Sequence, residues 1–385
     1  MSKLLLKNRV FVGIGIFDMG FHLVTSRAFD FEMFVQRAQN DKGPRHTIYQ
    51  MSQYLNATIH QPDPQTITPV DKVLSKIIGQ PSHWALARQL AFQLKRDDVV
   101  YCTGEDVGIP LAILLKFKLD RPKLAISIMA PDRVRPRTLL KRLGLASSIQ
   151  LFTVTDQYKA NYLQDLLNLS DSHVYLLPEQ TDANFFKPGD GMLPKSRPLI
   201  ASAGLEQRDY LTLAHATQDQ DVDIKICAFS PNASAGTRIS MPDPIPENME
   251  IRYFEFDELR DLYRSADIVV ISLLKNQYSA GLTVLMEAMA CNRPVIMTRN
   301  IGFSSELMDQ GLVIGVEPGD AKGMGEAIAY LLANPKESQE MSQRAHDYFL
   351  NHNTSEHYVR FLSQRLQQLQ APNQDAQSTP QLELS

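Results

Sequence analysis

Short runs of branched and aromatic residues recur along this chain, each bounded by turn formers and most followed by a stretch of helical periodicity. In the first half they are VFVGIGIF (10–17), ATIH (57–60), DVVYCT (98–103), KLAISIM (123–129), IQLFTVT (149–155) and HVYLL (173–177). In the second they are PLIASAG (198–204), DIKICAF (223–229), MEIRYF (249–254), DIVVISL (267–273), RPVIMT (293–298) and GLVIGV (311–316). Apolar runs of this length, without polar alternation, are strands covered on both faces. Alternating with helices, they predict an α/β protein with parallel sheets.

The segment DANFFKPGDGMLPKSRP (182–198) interrupts this rhythm with proline, glycine and charge, and reads as an interdomain linker. It divides the chain into a domain over 1–190 and another over 191–345, with a helical segment over 346–370 and a polar, aperiodic tail over 371–385. A length of 385 residues suits two cores better than one. Composition changes the picture little: 44% hydrophobic and 21% charged residues are ordinary for a globular protein. A net charge of −4 gives no general attraction to nucleic acid. The three cysteines, Cys102, Cys227 and Cys291, sit apart in apolar surroundings and form neither a metal-ligand spacing nor a disulfide framework. With no apolar run long enough to span a bilayer, the expected location is the cytoplasm.

In open α/β sheets, ligands bind beyond the carboxyl ends of strands, where helices begin. Following DIVVISL, the loop LKNQYSAG leads into a helix that starts near Leu282 or Thr283 and stops near Cys291, before Pro294. Its free N–H groups and positive dipole end form an anion site. Glu287, one turn inside, is set among apolar residues. A carboxylate there needs partners, and vicinal hydroxyls such as those of a ribose would serve. In SAGLEQRDYLTL (202–213), Gly204 allows close approach of a phosphate, and Arg208 has the geometry for a diphosphate. The plainer alternative for Arg208 is a surface pair with Asp209.

The motifs GLTVLMEAMACNRPVIMT and VEPGD (316–320) resemble the donor-binding core of the retaining glycosyltransferases of family four. EQTDANFFKPG (179–189) resembles that family's linker motif, GLEQRDYLTLAHA its phosphate loop, and RDLYRSADIVVISL (260–273) the strand entering the donor site. The resemblance implies a GT-B fold, two Rossmann-like domains facing a central cleft, with the last helix packing back on the N-terminal domain. It implies a sugar-nucleotide donor, UDP- or GDP-linked, with Glu287 on the ribose, the helix start at Leu282 and Thr283 on the diphosphate, and Arg208 neutralising the leaving group. The acceptor would be a glycan or lipid hydroxyl. Three positions depart from the family pattern. Ser279 stands where a second glutamate touches the donor sugar. Leu205 replaces an arginine, for which Lys275 is the candidate compensation. Met129 occupies the place of a cleft histidine. These departures motivate one alternative, a non-catalytic GT-B protein that binds a nucleotide sugar or a partner; a second is a GT-B-type nucleotide-sugar epimerase, which would need proton-transfer groups beside the sugar in place of an open acceptor groove.

On the acceptor side the candidates are Glu105, which opens a helix after YCTG, and Asp18 and His22, which follow the first expected strand. Glu105 and Asp106 equally suit first-turn capping. Gly13 and Gly15 form a lone pair, too little for a dinucleotide fingerprint. The stretch RVRPRTLLKR (133–142) carries Arg133, Arg135, Arg137, Lys141 and Arg142 with no acid. It is either a solvated helix face or a contact for anionic lipid, with Leu139, Leu140 and Leu143 available for shallow insertion. DQDVD (219–223) precedes a strand, at the end away from the expected cleft, and reads as a surface turn rather than a metal site. No metal or cofactor is expected.

Overall fold

The computed structural model describes residues 20–228, 238–276, 280–300 and 302–370. The expected strand over 10–17, Gly13, Gly15, Asp18, Ser279 and the tail lie outside the described residues.

Two six-stranded parallel sheets organise the chain. The first contains β1 (Phe21–Val24), β2 (Thr58–His60), β3 (Val99–Cys102), β4 (Lys123–Ser127), β5 (Leu151–Val154) and β6 (Val174–Leu176), in the order β2-β1-β3-β4-β5-β6. The second half supplies β7 (Leu199–Ala203), β8 (Arg208–Asp209), β9 (Asp223–Cys227), β10 (Ile239–Ser240), β11 (Met249–Arg252), β12 (Ile268–Ile271), β13 (Val295–Thr298) and β14 (Ile314–Val316). Its main sheet runs β11-β9-β7-β12-β13-β14, and β8 pairs with β10 alone. This is the GT-B arrangement. The unbroken apolar runs explain it: every residue of β3, β12 and β13 is buried, which requires helices on both faces.

Those helices are α1 (Phe31–Gln39), α2 (Thr47–Leu55), α3 (Pro69–Leu74), α4 (Pro81–Gln93), α5 (Glu105–Leu115), α6 (Val134–Arg142) and α7 (Gln157–Leu167) around the first sheet. Around the second are α8 (Tyr210–Thr217), α9 (Phe256–Ser265), α10 (Leu282–Ala290), α11 (Phe303–Asp309), α12 (Ala321–Ala333) and α13 (Pro335–His352). The last helix, α14 (Ser355–Gln370), returns to the first sheet.

Eleven of the expected strands coincide with observed ones, within a few residues at their ends. The strand β1 is different: it is FHLV, paired in parallel with β2 and β3, and begins after the run expected to supply the first strand. A histidine inside a four-residue strand weakens the apolar pattern enough to hide it. The expected helix over 346–370 also divides. Its first part belongs to α13, where His346 Nδ1 lies 2.9 Å from the Met289 carbonyl of α10. The chain then breaks at Asn353–Thr354, where Thr181 N–H donates to Asn353 O and Ser355 N–H donates to Thr181 O. Linker and return segment thus cross between the sheets side by side.

Along α14, Val359, Leu362 and Leu366 are buried against Leu23, Met51 and Tyr101. Replacing Leu362 with alanine leaves a cavity in that layer. A loss of about 2–5 kcal/mol in denaturant unfolding is expected; a change below about 1 kcal/mol would show that α14 adds little to the first core.

Candidate functional site

The residues read from the sequence as a donor site converge on the carboxyl edge of the second sheet. Helix α10 is LTVLMEAMA, nearly all strong helix formers, with every residue but Thr283 buried. It begins at Gly281, whose φ of +82° suits glycine, and ends at Cys291 with Asn292 left-handed before Pro294. Leu282 is buried and Thr283 exposed, so the first turn keeps one face open to solvent.

Glu287 is 6% exposed. Its Oε2 accepts a hydrogen bond from the hydroxyl of Tyr263, on α9, at 2.9 Å. No described residue donates to Oε1. Burial pushes the carboxyl up to about 7, against the Tyr263 hydrogen bond and the positive charge of Arg208.

Arg208 is 4% exposed. Its Nε donates to Ala203 O at 2.7 Å and its Nη1 to Glu206 O at 2.9 Å. It forms no ion pair with a described carboxylate, and Asp209, the plainer partner, instead caps α8 through Thr212. Burial holds the guanidinium below its ordinary value, yet such a group stays charged. A Cβ added to Gly204, where φ is +96°, would fall 2.4 Å from Arg208 Nη2. One added to Gly281 would fall 3.6 Å from Nη1. Gly204 therefore makes room for this cation, and the guanidinium fork lies in ordinary contact distance of Gly281, at the amino terminus of α10.

Other polar atoms at this edge are buried without a partner among the described residues: Ser272 Oγ after β12, Asn300 Nδ2 after β13, Ser304 Oγ in the first turn of α11, and Gln207 Oε1 beside Arg208. Buried polar groups are normally satisfied, so several orphans at one sheet edge point to a polar ligand. Sequence reasoning missed these residues and Tyr263, because serine, asparagine and tyrosine are common and only their burial distinguishes them. Lys275 is exposed in the loop after β12.

The acceptor-side candidates fare differently. Glu105 lies at the carboxyl edge of the first sheet, but its oxygens accept from the backbone N–H of Met129 (2.8 Å) and Ala130 (3.3 Å). It holds the turn after β4 rather than presenting a free carboxylate. His22 is not in a loop but within β1. Its Nδ1 is 2.9 Å from His60 Nε2 and its Nε2 is 3.5 Å from Asp98, which stands before β3. The ring is therefore held between His60, which ends β2, and Asp98, which precedes β3, with both nitrogens engaged. Burial lowers its basicity against the pull of Asp98. A cluster not anticipated lies at the carboxyl ends of β5 and β6. There Lys159 pairs with Asp156 at 2.9 Å, and Glu179, on the linker, is pushed up to about 7 by burial.

Arg133, Arg135, Arg137, Lys141 and Arg142 are exposed on and beside α6, as a solvated face would be. Leu140 is fully buried and unavailable for insertion, and Leu139 packs against the core; Leu143 remains exposed. In DQDVD, Asp221 and Asp223 pair with Arg197. Among the described residues no group of three metal-ligating side chains occurs, and no helix is long and apolar enough to cross a membrane. The three cysteines are buried, and Cys291 is pushed up to about 12 by burial, which leaves it unreactive.

No curated relative is detected by sequence. Solved structures match the whole architecture at low identity. A glycosyltransferase from Rickettsia africae superposes with a TM-score of 0.64 at 10% identity, covering 92% of this chain and 99% of the other. A UDP-forming α,α-trehalose-phosphate synthase from Burkholderia vietnamiensis gives 0.65 at 14%, covering 92% and 98%. Anabaena HepE in complex with UDP and glucose gives 0.60 at 11%, covering 91% and 100%. These likenesses establish the fold. Residues 214–334, which contain α10 and Glu287, match the family described as Glycosyl transferases group 1. The match falls in the second half of this GT-B chain, on the domain that carries the candidate site.

Proposed function

We propose that the protein transfers a sugar from a nucleotide-diphosphate sugar to a hydroxyl of a glycan or lipid acceptor, with retention at the anomeric carbon. The observation that carries this reading is Arg208: a buried cation with no described carboxylate in ion-pair contact, held against a helix amino terminus, with Glu287 one turn inside that helix. Such a site lacks an anion, and a diphosphate has the charge and the shape for it. Glu287 would accept the ribose hydroxyls through Oε1. UDP is the favoured nucleotide, since UDP is bound in the Anabaena structure and formed by the Burkholderia enzyme.

In the reaction, the bond from the anomeric carbon to the diphosphate oxygen breaks as the acceptor oxygen bonds to the same face of that carbon. The acceptor proton passes to the departing diphosphate. Arg208 and the N–H groups at Leu282 and Thr283 stabilise the charge that develops there, with Lys275 as a further cation. The acceptor sits between the two sheets, against the first domain, whose sheet runs through residues 21–176. Glu105 and His22 are assigned no part in the chemistry. Leu205, Ser279 and Met129 favour the non-catalytic alternative, in which the same site binds a nucleotide sugar without turnover.

Calorimetric titration with UDP and GDP tests the donor site. Saturable UDP binding, tighter than GDP and unchanged by EDTA, is expected, because Arg208 and α10 supply the positive charge. Heat from neither nucleotide would overturn the assignment. Loss on EDTA with recovery on Mg²⁺ would show that a metal shares the site. Release of UDP from UDP-sugars above the buffer rate separates the enzyme from the non-catalytic binder.

A further inference from the structure

At the edge of the first sheet opposite the ligand site, three helices end in one corner. Lys118 Nζ donates to the carbonyls of Ala91 and Leu94 at the end of α4. Lys116 Nζ donates to the carbonyl of Leu143 at the end of α6. The segment after α5 is thereby stitched between the ends of its two neighbours, and each of the three segments carries apolar side chains that stand in solvent. Phe92 and Phe117 are each 84% exposed and Leu119 is 103% exposed, with Leu143 beside them. Single exposed apolar residues need no explanation, but large ones converging at a corner do.

The surroundings are basic. Lys95, Arg96, Arg121, Lys123, Lys141 and Arg142 are exposed and form no ion pair among the described residues. The nearby exposed acids are Asp97 and Asp120. A chain of net charge −4 thus carries a concentrated positive rim around apolar tips. We propose that this corner docks on an anionic lipid bilayer, with Phe92, Phe117, Leu119 and Leu143 entering the headgroup boundary and the six cations facing lipid phosphates. The charge selects the occupant: a second copy of the chain would set the same positive rims against each other across a twofold axis. The surface differs from the arginines at the start of α6. Lys141 and Arg142 belong to it, whereas Arg133 and Arg135 lie at the other end of that helix. The proposal does not rest on the nucleotide site.

Sedimentation of the full chain with vesicles of phosphatidylcholine containing one-third phosphatidylglycerol tests it. Binding is expected at low salt, with release on approaching about 0.5 M salt, and none to pure phosphatidylcholine. Phe117→Ser with Leu119→Ser should weaken binding about tenfold or more. Lys141→Ala with Arg142→Ala should also weaken it about tenfold or more, at roughly 1 kcal/mol per cation. Because these side chains are exposed, the fold should tolerate the changes. Circular dichroism and thermal unfolding of each variant serve as the check on the fold. Equal sedimentation with both vesicle types, or with neither, would overturn the proposal. So would loss of binding in Arg133→Ala with Arg135→Ala but not in the other variants. A dimer that Phe117→Ser dissociates, without vesicle binding, would assign the corner to a second copy.

Discussion

Arg208→Met should lower UDP affinity by on the order of 100-fold or more while leaving the fold as stable as before, or slightly more so. The two effects have opposite sign for one reason. In the free protein the guanidinium is buried and donates to the Ala203 and Glu206 carbonyls; no described carboxylate lies within ion-pair distance, and only the more distant charges of Glu206 and Glu287 act on it. Removing such a buried charge in favour of an apolar chain of similar length relieves a desolvation penalty and loses two hydrogen bonds, terms of similar size. With nucleotide bound, the same charge faces a diphosphate. Deleting one member of that pair then leaves the anion uncompensated, at about 3–5 kcal/mol. Gly204→Ala should produce a milder form of the same defect, because the new methyl group would displace Nη2. Calorimetry and thermal unfolding on the same sample separate the two effects. UDP affinity within threefold of wild type in Arg208→Met would remove the diphosphate from the account.

The second large effect concerns Glu287 and pH. Its carboxyl is held near pH 7 by burial, against an ordinary value of 4.5. Between these values the unfolded chain has released the proton and the folded chain still holds it. Stability from this group is therefore fully present below about pH 4.5, falls as pH rises through 7, and is constant above. The full loss is up to about 3 kcal/mol. Glu287→Gln has no such slope, and its amide oxygen still accepts from Tyr263. The variant should match wild type near pH 4.5 and exceed it by up to about 3 kcal/mol at pH 8. Its UDP affinity should fall about tenfold or more at pH 8, since one amide cannot accept from two ribose hydroxyls as a carboxylate does. Wild-type affinity should rise with pH through 7 as the carboxyl ionises, and the variant's should not. A variant less stable than wild type at pH 8, with its nucleotide affinity intact, would make Glu287 a structural partner of Tyr263 and nothing more.

These two residues also show how far the sequence reaches by itself. Local pattern determined most of the strands, because an apolar run of four to six residues bounded by turn formers has few other uses. It also determined the limits of α10, because helix formers give way at Asn292 and Pro294 to residues that cannot continue the turn. The position of Glu287 on that helix followed. What the sequence could not show is every pairing that crosses the topology. Tyr263 meets Glu287 because α9 and α10 flank the same strand. Arg208 is buried rather than paired with Asp209 because β8 folds back against Leu273 and brings the guanidinium between Gly204 and Gly281. Glu105, a plausible acid in a linear reading, is occupied by the amides of Met129 and Ala130, which the β3–β4 pairing places beside it. Both nitrogens of His22 are engaged, by His60 and Asp98, because the parallel β1–β2 and β1–β3 pairings bring those residues beside it. The corner of Phe92, Phe117, Leu119 and Leu143 exists only because three helices end together. Period and capping are properties of consecutive residues. Burial, charge compensation and convergence depend on which distant segments the crossover connections bring side by side, and the tertiary structure alone decides that.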